Sequence, residues 1–139
     1  MDNYRPKNSE DAISVAKQAI WEKFGISFSK VENGTACGEL TLNPRYLNFY
    51  GVPFGGILFN LADNTAGMAF LSAGGKGVTV SGNVNYLRGA EPDVKKLICR
   101  AVVKKPGRRL FFIDAEVSDE FGNILSEYSF IFTNIAEES

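Results

Sequence analysis

Histidine is absent from the 139 residues, and cysteine occurs only twice. Each scarcity removes a class of chemistry. Without imidazole there is no Ser-His-Asp triad and no Cys-His dyad. Zinc sites built on His are excluded, as is any proton transfer through imidazole. Cys37 and Cys99 have neither CxxC spacing nor metal-ligand neighbours, and they read as two buried, reduced thiols in strands. An excess of one charge is also missing: 15 Lys+Arg stand against 16 Asp+Glu, a net charge of -1. Nucleic-acid partners usually leave a basic stripe, so none is expected. No apolar run reaches the roughly 20 residues that span a membrane. The longest, from about Gly55 to Ala73, is interrupted by Asn60, Asp63 and Asn64. The polar opening MDNYRPKNSE does not read as a signal peptide, and a cytoplasmic location is the expectation. Any chemistry must then come from a carboxylate, a hydroxyl, a lysine, a cysteine or the backbone.

What is present is a globular pattern: 45% of residues are hydrophobic, and the length fits one domain over residues 1–139. Asn8 or Ser9 caps a first helix with Glu10 and Asp11 in its first turn, and Ile13, Ala16, Ile20 and Phe24 recur at helical spacing up to Gly25. Ile26 and Phe28 alternate with Ser27 and Ser29. Asn33-Gly34 signals a hairpin, and Ala36 to Leu42 supply the partner strand. Residues 43–54 read as an irregular loop. A second helix begins near Gly55 and stops at Gly74-Gly75. It is apolar almost all round, which predicts burial inside the domain. Val78, Val80, Gly82, Val84 and Tyr86 share one face of a strand. Leu97–Val103 and Leu110–Val117 form two more, joined at Pro106-Gly107. After Phe121-Gly122-Asn123, a last strand places Ile124, Ser126, Tyr128, Phe130 and Phe132 on one face. The tail from Ala136 to Ser139 reads as frayed. The class is α+β: an antiparallel sheet of five to six strands wrapped around one long buried helix, plus an N-terminal helix (1–25 and 26–134). The edges of such a sheet are often closed by a second copy.

Two features are anomalous. Asp63 lies mid-helix among apolar neighbours, where an unpaired carboxylate is costly. It is either tied down by a neighbouring element or poised in a cleft as a base or nucleophile. Gly55-Gly56 opens the same helix with backbone N–H groups uncovered by side chains, at the positive end of the helix dipole. That suits a polarised carbonyl oxygen, although close packing also explains a glycine pair. The eight residues between Gly55 and Asp63 amount to about 12 Å of helix axis. One copy of the helix therefore cannot bring both to one carbonyl, and a shared role requires two chains.

The segment NFYGVPFGGILFNLADN, from Asn48 to Asn64, resembles the hotdog-fold acyl-CoA thioesterases of the PaaI-like branch: an Asn, a Gly, an HGG, then a helix carrying LAD or LVD. Similar stretches follow at Gly77-Val-Thr79-Val, Asn85-Tyr86-Leu-Arg88, Lys105-Pro-Gly107-Arg108 and Asp119-Glu-Phe-Gly122-Asn123. The likeness spans roughly residues 25–134. It implies a hotdog fold and the hydrolysis of an aryl- or fatty-acyl-CoA, with CoA as part of the substrate and no separate cofactor or metal. It also implies a homodimer or homotetramer with the site at the subunit interface. Gly55 would donate its N–H to the thioester carbonyl. Asp63 would be the nucleophile or base, Asn48 would orient carbonyl or water, and Thr79 would hold that water. Asn48 also fits an Asx-turn and Thr79 an ordinary strand position. Phe54 stands where the family keeps its histidine, and it lines an apolar acyl pocket or weakens the reaction. Gly56, Tyr50 and Phe59 are further candidates for contact with the acyl-CoA, and the aromatics among them serve equally as core. Of the cleft-rim bases, Arg88 and Arg108 are favoured for the CoA phosphates over Lys95, Lys96, Lys104, Lys105 and Arg109. The alternative is a hotdog protein that binds acyl-CoA without turning it over. A hotdog dehydratase is disfavoured by the missing histidine.

Overall fold

The computed structural model of the chain describes Asn8, Glu10, Asp11, Ile13, Ser14 and residues 20–135. The Asn8 side-chain oxygen accepts from the Asp11 N–H at 2.8 Å, as the expected cap does. Ser9, Ala16 and residues 136–139, on which the alternative cap, part of the helical spacing and the tail expectation fall, lie outside the described residues. Helix α1 (Ile20–Lys23) ends where Gly25 adopts φ +80° and donates to the Glu22 carbonyl. Strands β1 (Ile26–Glu32) and β2 (Thr35–Thr41) follow, joined by Asn33 and Gly34, both at positive φ. That is the left-handed pair that tight hairpin turns require. A 3-10 turn over Pro44–Tyr46 leads into the loop before helix α2 (Gly55–Ser72). The remaining elements are β3 (Gly77–Tyr86), β4 (Lys96–Lys105), β5 (Leu110–Asp119) and β6 (Ile124–Asn134).

The six strands form one antiparallel sheet in the order β1-β2-β4-β5-β6-β3. It wraps around α2, as the sequence predicts. Leu61, Ala62, Thr65, Ala66 and Ala69 of the helix are fully buried, facing Leu40, Leu97, Ile113, Val117 and Phe130 from the sheet. The approach is close: a β-carbon on Gly38 would lie 2.3 Å from the Thr65 hydroxyl. The helix is not covered on every side, however. Asn60, Asp63, Asn64 and Gly67 are only half-buried. A single curved sheet covers the side of a helix it faces, and this flank looks out past β3.

Three strand expectations are corrected. A β-bulge between Thr79 and Ser81 inserts one residue into β3. Thr79 therefore joins Gly82, Val84 and Tyr86 on the helix side, while Val78 and Val80 are left exposed. In β6 a register shift makes Leu125 the extra residue, buried beside Ser126, and Ile124 turns outward. Cys99 is buried, and burial pushes its thiol up to about 12. Cys37 is only half-buried, because its register neighbour Gly38 pairs with Cys99 and consecutive strand residues face opposite sides.

The turn after β5 is held by a buried carboxylate. Asp119 Oδ1 accepts from the N–H groups of Phe121 and Asn123, both at 2.9 Å, and Oδ2 accepts from Asn123 Nδ2 at 2.8 Å. Burial pushes the Asp119 carboxyl upward, but these hydrogen bonds, the Asn123 side chain first, outweigh it and hold the group below the usual carboxylate range. A lowered folded-state value gives stability that is complete above about pH 4 and is lost as pH falls through the folded value. Asp119→Ala is therefore expected to cost about 1–3 kcal/mol in urea unfolding at pH 7. The deficit shrinks towards pH 3; a deficit unchanged at pH 3 contradicts this role.

Candidate functional site

The open flank of α2 runs beside β3, and the two elements meet at three levels. Gly55 meets Tyr86, Phe59 meets Gly82, and Asp63 meets Thr79. On the helix these are positions i, i+4 and i+8, one stripe along a face. Gly55 and Asp63 thus occupy two different levels of the cleft.

At the first level, Phe54 is the N-cap of α2, with φ -70° and ψ 149°, and makes no side-chain cap bond. The leading N–H groups, on Gly55 and Gly56, are consequently not satisfied by a cap, and the helix dipole adds partial positive charge there. The Tyr86 hydroxyl donates to the Gly55 carbonyl at 2.8 Å. A β-carbon at Gly55 would lie 2.9 Å from the Tyr86 ring, so glycine permits this approach. Partial burial pushes the Tyr86 hydroxyl above its ordinary value, which keeps it a donor at neutral pH. A cavity of about 470 Å³ opens here, lined by Pro53, Gly55, Leu58, Tyr86, Leu87, Arg88, Gly89 and Ala90. Its only charged lining residue, Arg88, has Glu91 as an exposed ion-pair partner at 3.6 Å.

At the other level, the Thr79 hydroxyl donates to Asp63 Oδ1 at 2.7 Å. The bulge at Val80 is what turns this hydroxyl inward. Asp63 is half-buried, not enclosed by apolar side chains as its sequence neighbours suggest. Those neighbours face the sheet, and Asp63 faces the open flank.

The other candidates are dispersed. Asn48 forms an Asx-turn: its Oδ1 accepts from the N–H groups of Tyr50 at 2.9 Å and Val52 at 3.3 Å. This fixes a loop that carries Phe49 and Tyr50 outward, 91% and 80% exposed, their rings 4.7 Å apart. Tyr50 therefore points to solvent and is not among the residues that line the cavity beside Gly55. Phe54 is 43% exposed beside Gly56. Phe59 is half-buried, edge-on to Tyr128 and Phe130 at 5.8 and 5.5 Å, and acts as core packing. The Arg108 carbonyl accepts from Asn134, which pairs with Gly77, so Arg108 sits at the opposite end of β3 from Arg88. The structure brings together Asp63 with Thr79, and Gly55 with Arg88, but does not join the two groups. Sequence reasoning missed Tyr86, read only as a strand residue. The available signal was its place two residues before Arg88. Among the described residues no three His, Cys, Asp or Glu side chains cluster as a metal site.

A family model described as the thioesterase superfamily matches residues 50–125. A conserved protein of Pseudomonas aeruginosa superposes with a TM-score of 0.78 at 30% identity, covering 84% of this chain and 94% of that one. A hypothetical thioesterase of Streptococcus pneumoniae, crystallised with coenzyme A, superposes at 0.75 with 25% identity, covering 82% and 88%. The fold is also that of E. coli PaaI from the phenylacetic acid degradation operon, at a TM-score of 0.84, 22% identity and coverages of 91% and 92%. No match is found among curated proteins.

Because the first helical position has no intrahelical use for its N–H, it tolerates proline. Phe54 already holds the extended conformation that precedes proline. Gly55→Pro is expected to fold with stability within about 1 kcal/mol of the parent, as the Tyr86 side chain swings aside. A loss above about 3 kcal/mol in chemical unfolding would contradict this, showing that Tyr86 cannot move.

Proposed function

This chain belongs to the thioesterase superfamily, and from that premise we propose that it hydrolyses an aryl- or fatty-acyl-CoA to the free acid and CoA, at sites shared between two copies. The carrying observation is the Asp63–Thr79 pair on the open flank of α2. A thioester carbonyl needs two things: polarisation of its oxygen, and a nucleophile at its carbon. The uncapped N–H of Gly55 supplies the first. Asp63 supplies the second, attacking directly or taking a proton from water, with Thr79 holding the carboxylate in place. Water attack gives a tetrahedral oxyanion whose collapse expels the CoA thiolate and leaves the acid, the thiolate taking up the proton that Asp63 removed from water. Direct attack by Asp63 expels the same thiolate and leaves an acyl-aspartyl anhydride, which water hydrolyses to the acid and free Asp63. No imidazole is needed, which agrees with a chain that has none.

Geometry favours a second copy. Gly55 and Asp63 are at separate levels, and β3 is a sheet edge with Val78 and Val80 exposed at 56% and 58%. Antiparallel pairing of β3 with β3 across a two-fold axis would set the Thr79 end of one strand against the Tyr86 end of the other. Asp63 of one protomer would then face Gly55, Arg88 and the cavity of its partner, and Arg108 would come to the same end. Arg88 and Arg108 are the residues we assign to the CoA phosphates. Gly56, Phe54 and Tyr50 flank this mouth, with Asn48 fixing the loop that carries Tyr50. The same reading takes residues 1–139 as one hotdog domain, operating in the cytoplasm without a separate cofactor. No helix among the described residues is long and apolar enough to cross a membrane.

Purified protein is expected to release thiol from members of an acyl-CoA panel, and Asp63→Asn should lower kcat by at least about 100-fold. Thr79→Ala should have a smaller effect on kcat, restored by Thr79→Ser. Binding of acyl-CoA without thiol release across aryl and fatty chains would overturn hydrolysis in favour of a binding protein.

A further inference from the structure

Beside Asp63, the open flank of α2 carries two asparagines, Asn60 and Asn64, on a helix that is otherwise almost wholly apolar. Asparagine is a poor helix former and neither residue is a cap, so their presence calls for a local reason. Their hydrogen bonds form an ordered ladder. Trp21 Nε1 donates to Asn64 Oδ1. Asn64 Nδ2 then donates to the Asn60 carbonyl at 2.8 Å and to Asn60 Oδ1 at 2.7 Å.

The direction of this ladder is fixed by chemistry. An indole N–H only donates, so the Asn64 oxygen must face Trp21 and its NH₂ must face Asn60. The Asn60 side chain must then present its oxygen to Asn64. Its own NH₂ is left over, with no hydrogen-bond partner among the described residues. Asn60 precedes Asp63 by three residues, on the adjoining turn of the same face, and such neighbours have β-carbons about 5–6 Å apart. A donor of fixed orientation therefore stands one helical turn from the proposed nucleophile, in a half-buried flank.

We propose that Asn60 is a specificity-determining residue that selects acyl groups carrying an oxygen acceptor a few bonds from the thioester carbon, with Asn64 and Trp21 as positioning residues. The inference rests on the hydrolytic reading of Asp63 and names the substrate class for that site. A plain hydrocarbon chain would leave the Asn60 donor desolvated and unpaired, and a hydroxy- or oxo-acyl chain would satisfy it.

The test compares hexanoyl-CoA with 3-hydroxyhexanoyl- and 3-oxohexanoyl-CoA. It reads the ratio of kcat/KM, oxygenated over plain, and in parallel the ratio of Kd for the matched non-hydrolysable thioethers. The parent protein is expected to favour the oxygenated chains about tenfold. Asn60→Asp keeps the acceptor that Asn64 uses but removes the outward donor, and should bring the ratio to one or below. Asn64→Asp still accepts from Trp21 but cannot donate. The Asn60 amide is then free to turn and donate to it, so this variant should lower the ratio although residue 64 touches no substrate. A new carboxylate near Asp63 acts on both substrates alike, which is why the ratio is read and not the rate. Equal use of both chains by the parent, or a preference untouched by Asn60→Asp, overturns the proposal and leaves hydrolysis standing. A preference in thioether binding without turnover of any thioester upholds the subsite and overturns the hydrolytic reading.

Discussion

A single apolar helix has to be kept from water by a sheet that reaches only part of the way round it. That constraint organises the molecule. Helix α2 buries Ile57, Leu58, Leu61, Ala62, Thr65, Ala66, Met68, Ala69 and Phe70, and the curved six-stranded sheet exists to receive them. The flank left over carries the half-buried polar residues of the middle of the helix, while Thr65 is buried with the core. The same residue spacing that fills the core therefore assembles Asn60, Asp63 and Asn64 along one cleft, with β3 as its wall. A substitution that thickens the contact between α2 and the sheet, at Gly38 for example, would displace the cleft as well as the core.

The cleft divides its chemistry between a helix terminus and a mid-helix carboxylate. In the proposed reaction the backbone supplies the positive end and Asp63 the negative one. A helix is rigid, so their separation along the axis is fixed, and neither can move to the other. The bulge at Val80 serves the same division. It lets one strand point Thr79 at Asp63 while keeping Tyr86 against Gly55. A regular strand preserves one parity throughout, so a bulge is the local means of meeting both demands.

Much of this was legible in the sequence. The Asn33-Gly34 turn, the limits of α2 and the succession of strands along the chain follow from local patterns, whereas their order in the sheet does not; the resemblance carried the hotdog fold and the thioesterase family. The misreadings have separate physical causes. Period-two alternation assumes unbroken pleating, so the bulges that move Thr79 inward and Ile124 outward left no signal. Asp63 looked enclosed because sequence neighbours on a helix are not neighbours on its face. The direction of the Trp21–Asn64–Asn60 ladder was invisible because it depends on contacts between distant segments. Asn48 is clear as an Asx-turn, whereas its proposed part in the reaction depends on a second copy.

The central claim is that Asp63 of one chain works with Gly55 of another, and subunit complementation tests it most directly. Asp63→Asn and Gly55→Pro proteins, each inactive alone, are unfolded together, refolded as a mixture and assayed for thiol release. If the site is shared, hybrid dimers contain one site free of both changes, and random mixing restores about a quarter of parental activity. If both residues act within one chain, every site in every dimer remains defective, and a mixture as inactive as its components would contradict the account.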